Sequence, residues 1–178
     1  NLIVVYLTYM DVYHLYTNFY NYIETDCNVE HVWIISSLHM YHLIYHKNKI
    51  NIQDIIHHIP TLFMQCIIPL LLNYKSIIIS HHVFYLCGLP GCIDYLLLFL
   101  VRNGFILKIT EKQINEFLNV WIRCPGTIIN TAFIMIMLQD TRYIIEYIIL
   151  TITMLFSYWN GLYYMRRVVI DYNNALTN

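Results

Sequence analysis

Charged residues are scarce in this sequence. Only 12% of its 178 residues are Asp, Glu, Lys or Arg, whereas 58% are hydrophobic, and the mean hydropathy is +0.52. A soluble domain is about one quarter charged, so this chain has roughly half the charge that a soluble surface needs. The net charge of −1 excludes a nucleic-acid-binding surface, and the hydrophobic content excludes a disordered chain. The composition therefore predicts an all-α, multi-pass membrane protein.

The cysteines are too irregular in number and spacing to form a disulfide framework. The five cysteines are an odd number and contain no CxxC pair, and four of them lie in apolar runs. We therefore interpret them as small core residues and exclude a secreted disulfide scaffold. Internal repeats and long linkers are also missing, which predicts a single transmembrane domain over residues 1–178.

Six apolar runs approach or reach the length of a membrane span, which is about 20 residues. The first run begins without Met, which is compatible with a fragment that lacks an upstream helix. We predict about six transmembrane helices in one bundle, at approximately residues 1–22, 29–46, 54–74, 76–101, 113–139 and 143–166.

Lys and Arg are distributed unevenly between the two ends of these spans. In a six-span arrangement one face carries seven basic residues, namely Lys47, Lys49, Arg102, Lys108, Lys112, Arg166 and Arg167. The opposite face carries only Lys75 and Arg142, and Arg123 lies inside a span. Because the basic face of a membrane protein is the cytosolic one, we predict that both termini are cytosolic.

Ionisable side chains inside the spans are the first candidates for a functional site, because such groups are costly in a membrane. Helical rise places Asp94 and Arg123 at similar depths of about 12 and 15 Å. We therefore predict that they form a buried ion pair that closes the floor of a cavity; a purely structural tether is the alternative. The ionisable residues expected in the cytosolic half are His39, His42, His57, His58, Asp94 and Arg123.

His57 and His58 carry the most chemical information. Neighbouring residues on a helix point about 100° apart, so both rings can line one cavity. Asp54 lies about one turn earlier, close enough to hydrogen-bond one imidazole and fix its tautomer. Pro60 removes a backbone donor beside the pair. A histidine oriented in this way can act as a general base or nucleophile on an acyl group; the alternative is a pair of interfacial histidines.

A second histidine pair, His81-His82, lies far from this group. His81 is about 20 Å from Asp94 along a helix, unless residues 88–91 (Gly-Leu-Pro-Gly) fold the helix back. We predict an interfacial role for this pair, beside the aromatic residues that gather at membrane surfaces.

Residues 51–61, with the sequence NIQDIIHHIPT, resemble the signature of the TLC-domain family, the ceramide synthases and their relatives. In that family an acidic stretch leads into two adjacent histidines, followed shortly by Thr or a similar small residue. Glu30, residues 94–97 (DYLL) and residues 118–123 (LNVWIR) are similar to further segments of the family. The resemblance extends over roughly residues 24–170.

This resemblance implies a six-helix TLC-type bundle around a lipid-accessible cavity, in an internal membrane such as the endoplasmic reticulum for a eukaryotic protein. It implies acyl transfer from acyl-CoA, a co-substrate rather than a bound cofactor, to a lipid amine. The expected partners are the bilayer, a lipid or acyl-CoA and a second copy in a homodimer, but no nucleic acid. The expected catalytic residues are His57, His58, Asp54, Asp94 and Arg123, and the expected cavity residues are His39, His42, Thr61, Tyr95 and Trp121.

Two other functions compete with acyl transfer. Ceramide synthases have a His-Asp motif just before the Asp-Tyr, where residues 89–92 here read Leu-Pro-Gly-Cys; the alternative is therefore a TLC protein that binds or senses lipid, or maintains the membrane, without chemistry. The third hypothesis is a di-iron hydroxylase or desaturase, with His42 and His46 and the two histidine pairs as ligands. Neither pair has a histidine three residues earlier, so we predict no metal.

Overall fold

The computed structural model describes residues 1–23, 25–45, 52, 55, 58–59, 61–63 and 75–177. Every regular element in these ranges is a helix, which confirms the all-α class. Most of the expected third span, residues 54–74, lies outside the described residues. The same holds for Asp54 and His57, the first and central members of the predicted histidine motif.

Three of the helices are long and apolar enough to cross a membrane. They have 26, 33 and 34 residues, whereas α1 and α3 have 16 residues each. Membrane association is thus supported by three helices, and six spans are not shown. The helices are α1 (Leu2–Thr17), α2 (Phe19–Tyr22), α3 (Glu30–Tyr45), α4 (Ile77–Arg102), α5 (Lys108–Asp140) and α6 (Ile144–Thr177).

The two proline-containing helices continue through their prolines. In α4 a wide π-helical turn at Phe84–Gly88 precedes Pro90, and in α5 a similar turn at Asn119–Arg123 precedes Pro125. Proline has no N–H, so a carbonyl one turn earlier loses its helical partner, and a π-helical turn accommodates such a change within a helix. Helix α4 therefore does not fold back, and His81 and Asp94 lie far apart along it.

An apolar core and a polar cavity occupy opposite ends of the bundle. The core contains Leu15, Ile77, Ile134 and Leu150, which lie near the end of α1, the start of α4, the end of α5 and the start of α6, respectively. Lys112 near the start of α5 and the second half of α6 line the cavity instead. The cavity thus lies at the basic end of the long helices, which the positive-inside rule predicts to be cytosolic.

Candidate functional site

A cavity of about 380 Å³ lies among α3, α4, α5 and α6, a volume typical of small-molecule sites. Several residues predicted for the site share this cavity, although they come from distant parts of the chain. The predicted residues that line it are His39, His42, His58, Asp94, Tyr95 and Arg123.

Two predicted cavity residues are not among those that line it. Thr61 is buried elsewhere, and Trp121 is 67% exposed. Trp121 precedes Arg123 by two positions, and residues two apart on a helix point in nearly opposite directions, about 200°. Because Arg123 faces the cavity, Trp121 faces outward, so its predicted position in the cavity wall is wrong.

The predicted direct ion pair between Asp94 and Arg123 is also wrong, because two asparagines stand between them. Asn115 Nδ2 donates to Asp94 Oδ1 at 2.8 Å, and Asn119 Nδ2 donates to Asn115 Oδ1 at 2.7 Å. Arg123 Nη1 then donates to Asn119 Oδ1 at 3.3 Å. Asn115, Asn119 and Arg123 follow one another at intervals of four, so they form one stripe along α5. The carboxylate and the guanidinium are therefore linked but separated.

Arg123 is held by neutral groups. Its Nη2 donates to Asn160 Oδ1 at 3.0 Å, and its guanidinium carbon lies 4.0 Å from the centre of the Tyr164 ring, a cation–π contact. Its Nε is buried without a hydrogen-bond partner. Among the described residues, no carboxylate lies within 4.0 Å of its nitrogens. The site thus contains a cation whose charge is not neutralised by a direct contact.

The remaining charges of the cavity have neighbours of opposite sign. Lys112 Nζ lies 3.9 Å from Glu111 Oε2. Arg167 and Asp171 line the cavity one turn apart on α6, where both are exposed. Their position lets solvent screen them. Asp94 and Arg123 are therefore the two charges among these lining residues that are neither exposed nor in direct contact with a charge of opposite sign.

Three histidines form a cluster in the same cavity. His39 Nδ1 and His58 Nδ1 are 2.7 Å apart, so one nitrogen donates and the other accepts. The ring of His42 lies 5.2 Å from that of His58, and its Nε2 is 3.5 Å from Tyr95 Oη. The imidazole that donates through Nδ1 keeps Nε2 as an acceptor when it is neutral, which is the form that a general base requires.

The prediction for His81 and His82 is wrong, because both are buried at 0% and 1% exposure. Asn130 Oδ1 lies 2.9 Å from His81 Nδ1, and Asn130 Nδ2 lies 3.3 Å from His82 Nδ1. Tyr16 Oη and Ser157 Oγ complete the contacts, at 3.2 Å from His81 Nε2 and 3.1 Å from His82 Nδ1. Polar partners on α1, α5 and α6 thus draw the pair into the bundle rather than to the membrane surface.

Sequence reasoning missed the asparagines that organise both groups of polar residues. The spacing of Asn115, Asn119 and Arg123 by four was the available signal for the cavity. For the buried histidines, the signal was Asn130 and Ser157, which are polar residues in the middle of apolar runs.

Comparisons with protein-family profiles, curated proteins and solved structures found no match. The similarity to the TLC-domain family therefore rests on the sequence segments quoted above. In the described part of the chain, no group of three or more His, Cys, Asp or Glu residues is arranged to hold a metal ion. His42 lines the cavity, whereas His81 and His82 form hydrogen bonds with Asn130 and Ser157 inside the bundle. These proposed iron ligands therefore lie in separate clusters.

Proposed function

We propose that this is an integral membrane protein that binds a lipid in the cavity and transfers an acyl group to the amine of that lipid. One observation carries the proposal: His39, His42 and His58 share a cavity with Asp94 and Arg123 in a bundle of membrane-length helices. Placing ionisable groups inside a membrane protein costs free energy. A functional site explains why these groups nevertheless converge at one cavity. The resemblance to the TLC-domain family supports acyl-CoA as the donor.

The chemistry follows from a neutral imidazole beside an amine. As the amine nitrogen attacks the thioester carbonyl of acyl-CoA, the new C–N bond forms and an imidazole accepts the proton that the nitrogen releases. The C–S bond then breaks, and the proton returns from the imidazolium to the thiolate, which leaves as the free thiol of CoA. His58, hydrogen-bonded to His39, is the described residue best placed for this role; His57 is the neighbouring candidate from the sequence.

This proposal predicts that a single histidine substitution removes most of the activity. The full chain would be purified in detergent and supplied with labelled acyl-CoA and a panel of lipid amines. We expect His58→Ala to lower turnover about 10²–10⁴-fold, the usual contribution of a general base. His57→Ala would be measured alongside it, and His14→Ala, on α1 and stacked on Tyr22, is the matched control. Unchanged turnover in both His57→Ala and His58→Ala would refute the catalytic assignment.

Lipid binding without chemistry is the second candidate. The environment of Arg123 favours it, because a partly buried cation held by two amide oxygens and an aromatic ring attracts an anionic group whether or not a reaction follows. Saturable lipid binding without turnover of any amine would support this function and exclude acyl transfer.

A further inference from the structure

The charges of the cavity wall determine which charged groups a bound ligand must have. Lys112 already has Glu111 beside it, and Arg167 and Asp171 are exposed neighbours on α6. Asp94 and Arg123 differ from Lys112 and Glu111 because neither is in direct contact with a charge of opposite sign, and they differ from Arg167 and Asp171 because they are less exposed. A ligand in the cavity therefore meets one negative and one positive group.

The asparagines hold these two charges apart. Asn115 bonds Asp94 Oδ1, and among the described residues no hydrogen bond to Oδ2 is seen. Asn119 and Asn160 bind the two terminal nitrogens of Arg123, and its Nε remains unpaired. Side chains on successive turns of α5 fix the separation, so the two charges cannot collapse onto each other without breaking this chain of hydrogen bonds.

We infer that the cavity takes a zwitterionic lipid headgroup that carries both a primary amine and a phosphate. The amine donates to Asp94, and the phosphate lies against Arg123, whose guanidinium geometry matches phosphate oxygens. The inference rests on the proposed function, in which this amine becomes the acyl acceptor after its ammonium form has passed one proton to the Asp94 carboxylate. It goes beyond that function because an amine lipid without an anionic group would leave Arg123 without a counter-ion.

Burial of charge explains why both groups are required. A net-neutral headgroup leaves no uncompensated charge in the filled cavity, whereas a purely cationic or purely anionic ligand neutralises only one wall. Each charge-assisted hydrogen bond is therefore expected to contribute about tenfold in affinity.

The inference is tested by calorimetric titration of the full chain in detergent with short-chain lipids. Phosphatidylethanolamine has both groups, phosphatidylglycerol has only the phosphate, sphingosine has only the amine, and phosphatidylcholine has a quaternary amine without N–H donors. We expect phosphatidylethanolamine to bind about tenfold more tightly than each of the other three. Inorganic phosphate and free phosphoethanolamine form two further arms, and inorganic phosphate binding as tightly as the lipid would show that the site serves free phosphate instead.

Two substitutions should produce opposite patterns of selectivity. Arg123→Gln is expected to weaken phosphatidylethanolamine and phosphatidylglycerol about tenfold and leave sphingosine unchanged. Asp94→Asn should weaken phosphatidylethanolamine and sphingosine and leave phosphatidylglycerol unchanged. Arg102→Gln, exposed at the end of α4 and outside the cavity wall, is the matched control and should have no effect. Arg123→Lys, which keeps the charge, should retain part of the affinity.

The results separate this inference from the proposed function. The zwitterion site would be refuted if Arg123→Gln lowered the affinity for all lipids equally. It would also be refuted if the wild-type protein bound sphingosine as tightly as phosphatidylethanolamine. If Arg123→Gln does not fold, the wild-type preference and Arg123→Lys decide. Selective binding of phosphatidylethanolamine without acyl transfer would support the zwitterion site and refute the acyltransferase function. Acyl transfer to sphingosine without any binding preference would support the acyltransferase function and refute the zwitterion site.

Discussion

Asn130 connects three helices through one side chain. It contacts His81 and His82 of α4 and Ser157 of α6, and it is completely buried. Side-chain hydrogen bonds inside membrane proteins contribute about 0.6 kcal/mol each, so Asn130→Leu should lower the free energy of unfolding by about 2 kcal/mol. Thermal unfolding in detergent measures this, with the exposed Asn173→Leu on α6 as control. Equal melting temperatures for the two variants would contradict a stabilising role for Asn130.

Cys27 provides a residue-scale prediction outside the membrane-spanning helices. The residue is 5% exposed, and burial raises the pKa of its thiol from 9.0 to about 11. Between these values the unfolded chain releases the thiol proton and the folded chain retains it, so stability is present below pH 9 and declines as the pH rises toward 11. Because the two pKa values differ by about two, this decline should reach about 2–3 kcal/mol, at about 1.4 kcal/mol per pKa unit. Cys27→Ser should lack it, and identical pH profiles for the two proteins would refute the assignment.

The identities of the cavity residues were only partly predictable from the chain. Depth along a helix brought His39, His42, Asp94 and Arg123 to one level, and the structure places them in one cavity. Depth does not give the direction of a side chain, and neither does the resemblance that implied a cavity position for Trp121, which the structure places on the outside. It also does not identify which polar groups bond each other.

At the scale of elements, α4 and α5 approach closely because one of them has no side chain at the contact. A Cβ atom on Gly126 of α5 would overlap the ring of Tyr85 on α4. Gly126→Ala should therefore lower the free energy of unfolding by about 1–3 kcal/mol. In a Tyr85→Ala background the same substitution should have almost no further effect, because the opposing ring is gone. Equal destabilisation in both backgrounds would contradict the contact.

Helix boundaries followed the sequence closely where apolar runs ended at polar residues. The predicted span 76–101 corresponds to Ile77–Arg102, but 113–139 became Lys108–Asp140 and 143–166 became Ile144–Thr177. The additional turns are polar, and hydropathy does not register a helix that continues beyond the apolar segment into a polar environment. The Gly-Leu-Pro-Gly sequence does not end this span, since the π-helical turn before Pro90 preserves the helix.

At the scale of the whole molecule, the apolar core is separate from the candidate functional site. The apolar core lies at one end of α4, α5 and α6, and the charged cavity lies at the other. Large apolar side chains such as Phe99, Ile145 and Leu155 remain exposed on the outside, as expected for a surface that faces lipid. In the proposed function, these apolar helix surfaces contact the lipid chain while its headgroup meets the polar wall of the cavity.

Local sequence was sufficient to predict the helical class, the helices long and apolar enough to cross a membrane, and the positions of most ionisable groups along those helices. These properties depend on local composition and on the fixed rise of a helix. The tertiary structure alone decided that asparagines separate Asp94 from Arg123 and that His81 and His82 are buried. Both outcomes depend on how each helix is rotated about its axis and on which helix lies beside it. Hydropathy leaves that rotation undetermined when apolar residues occupy nearly every side of a helix.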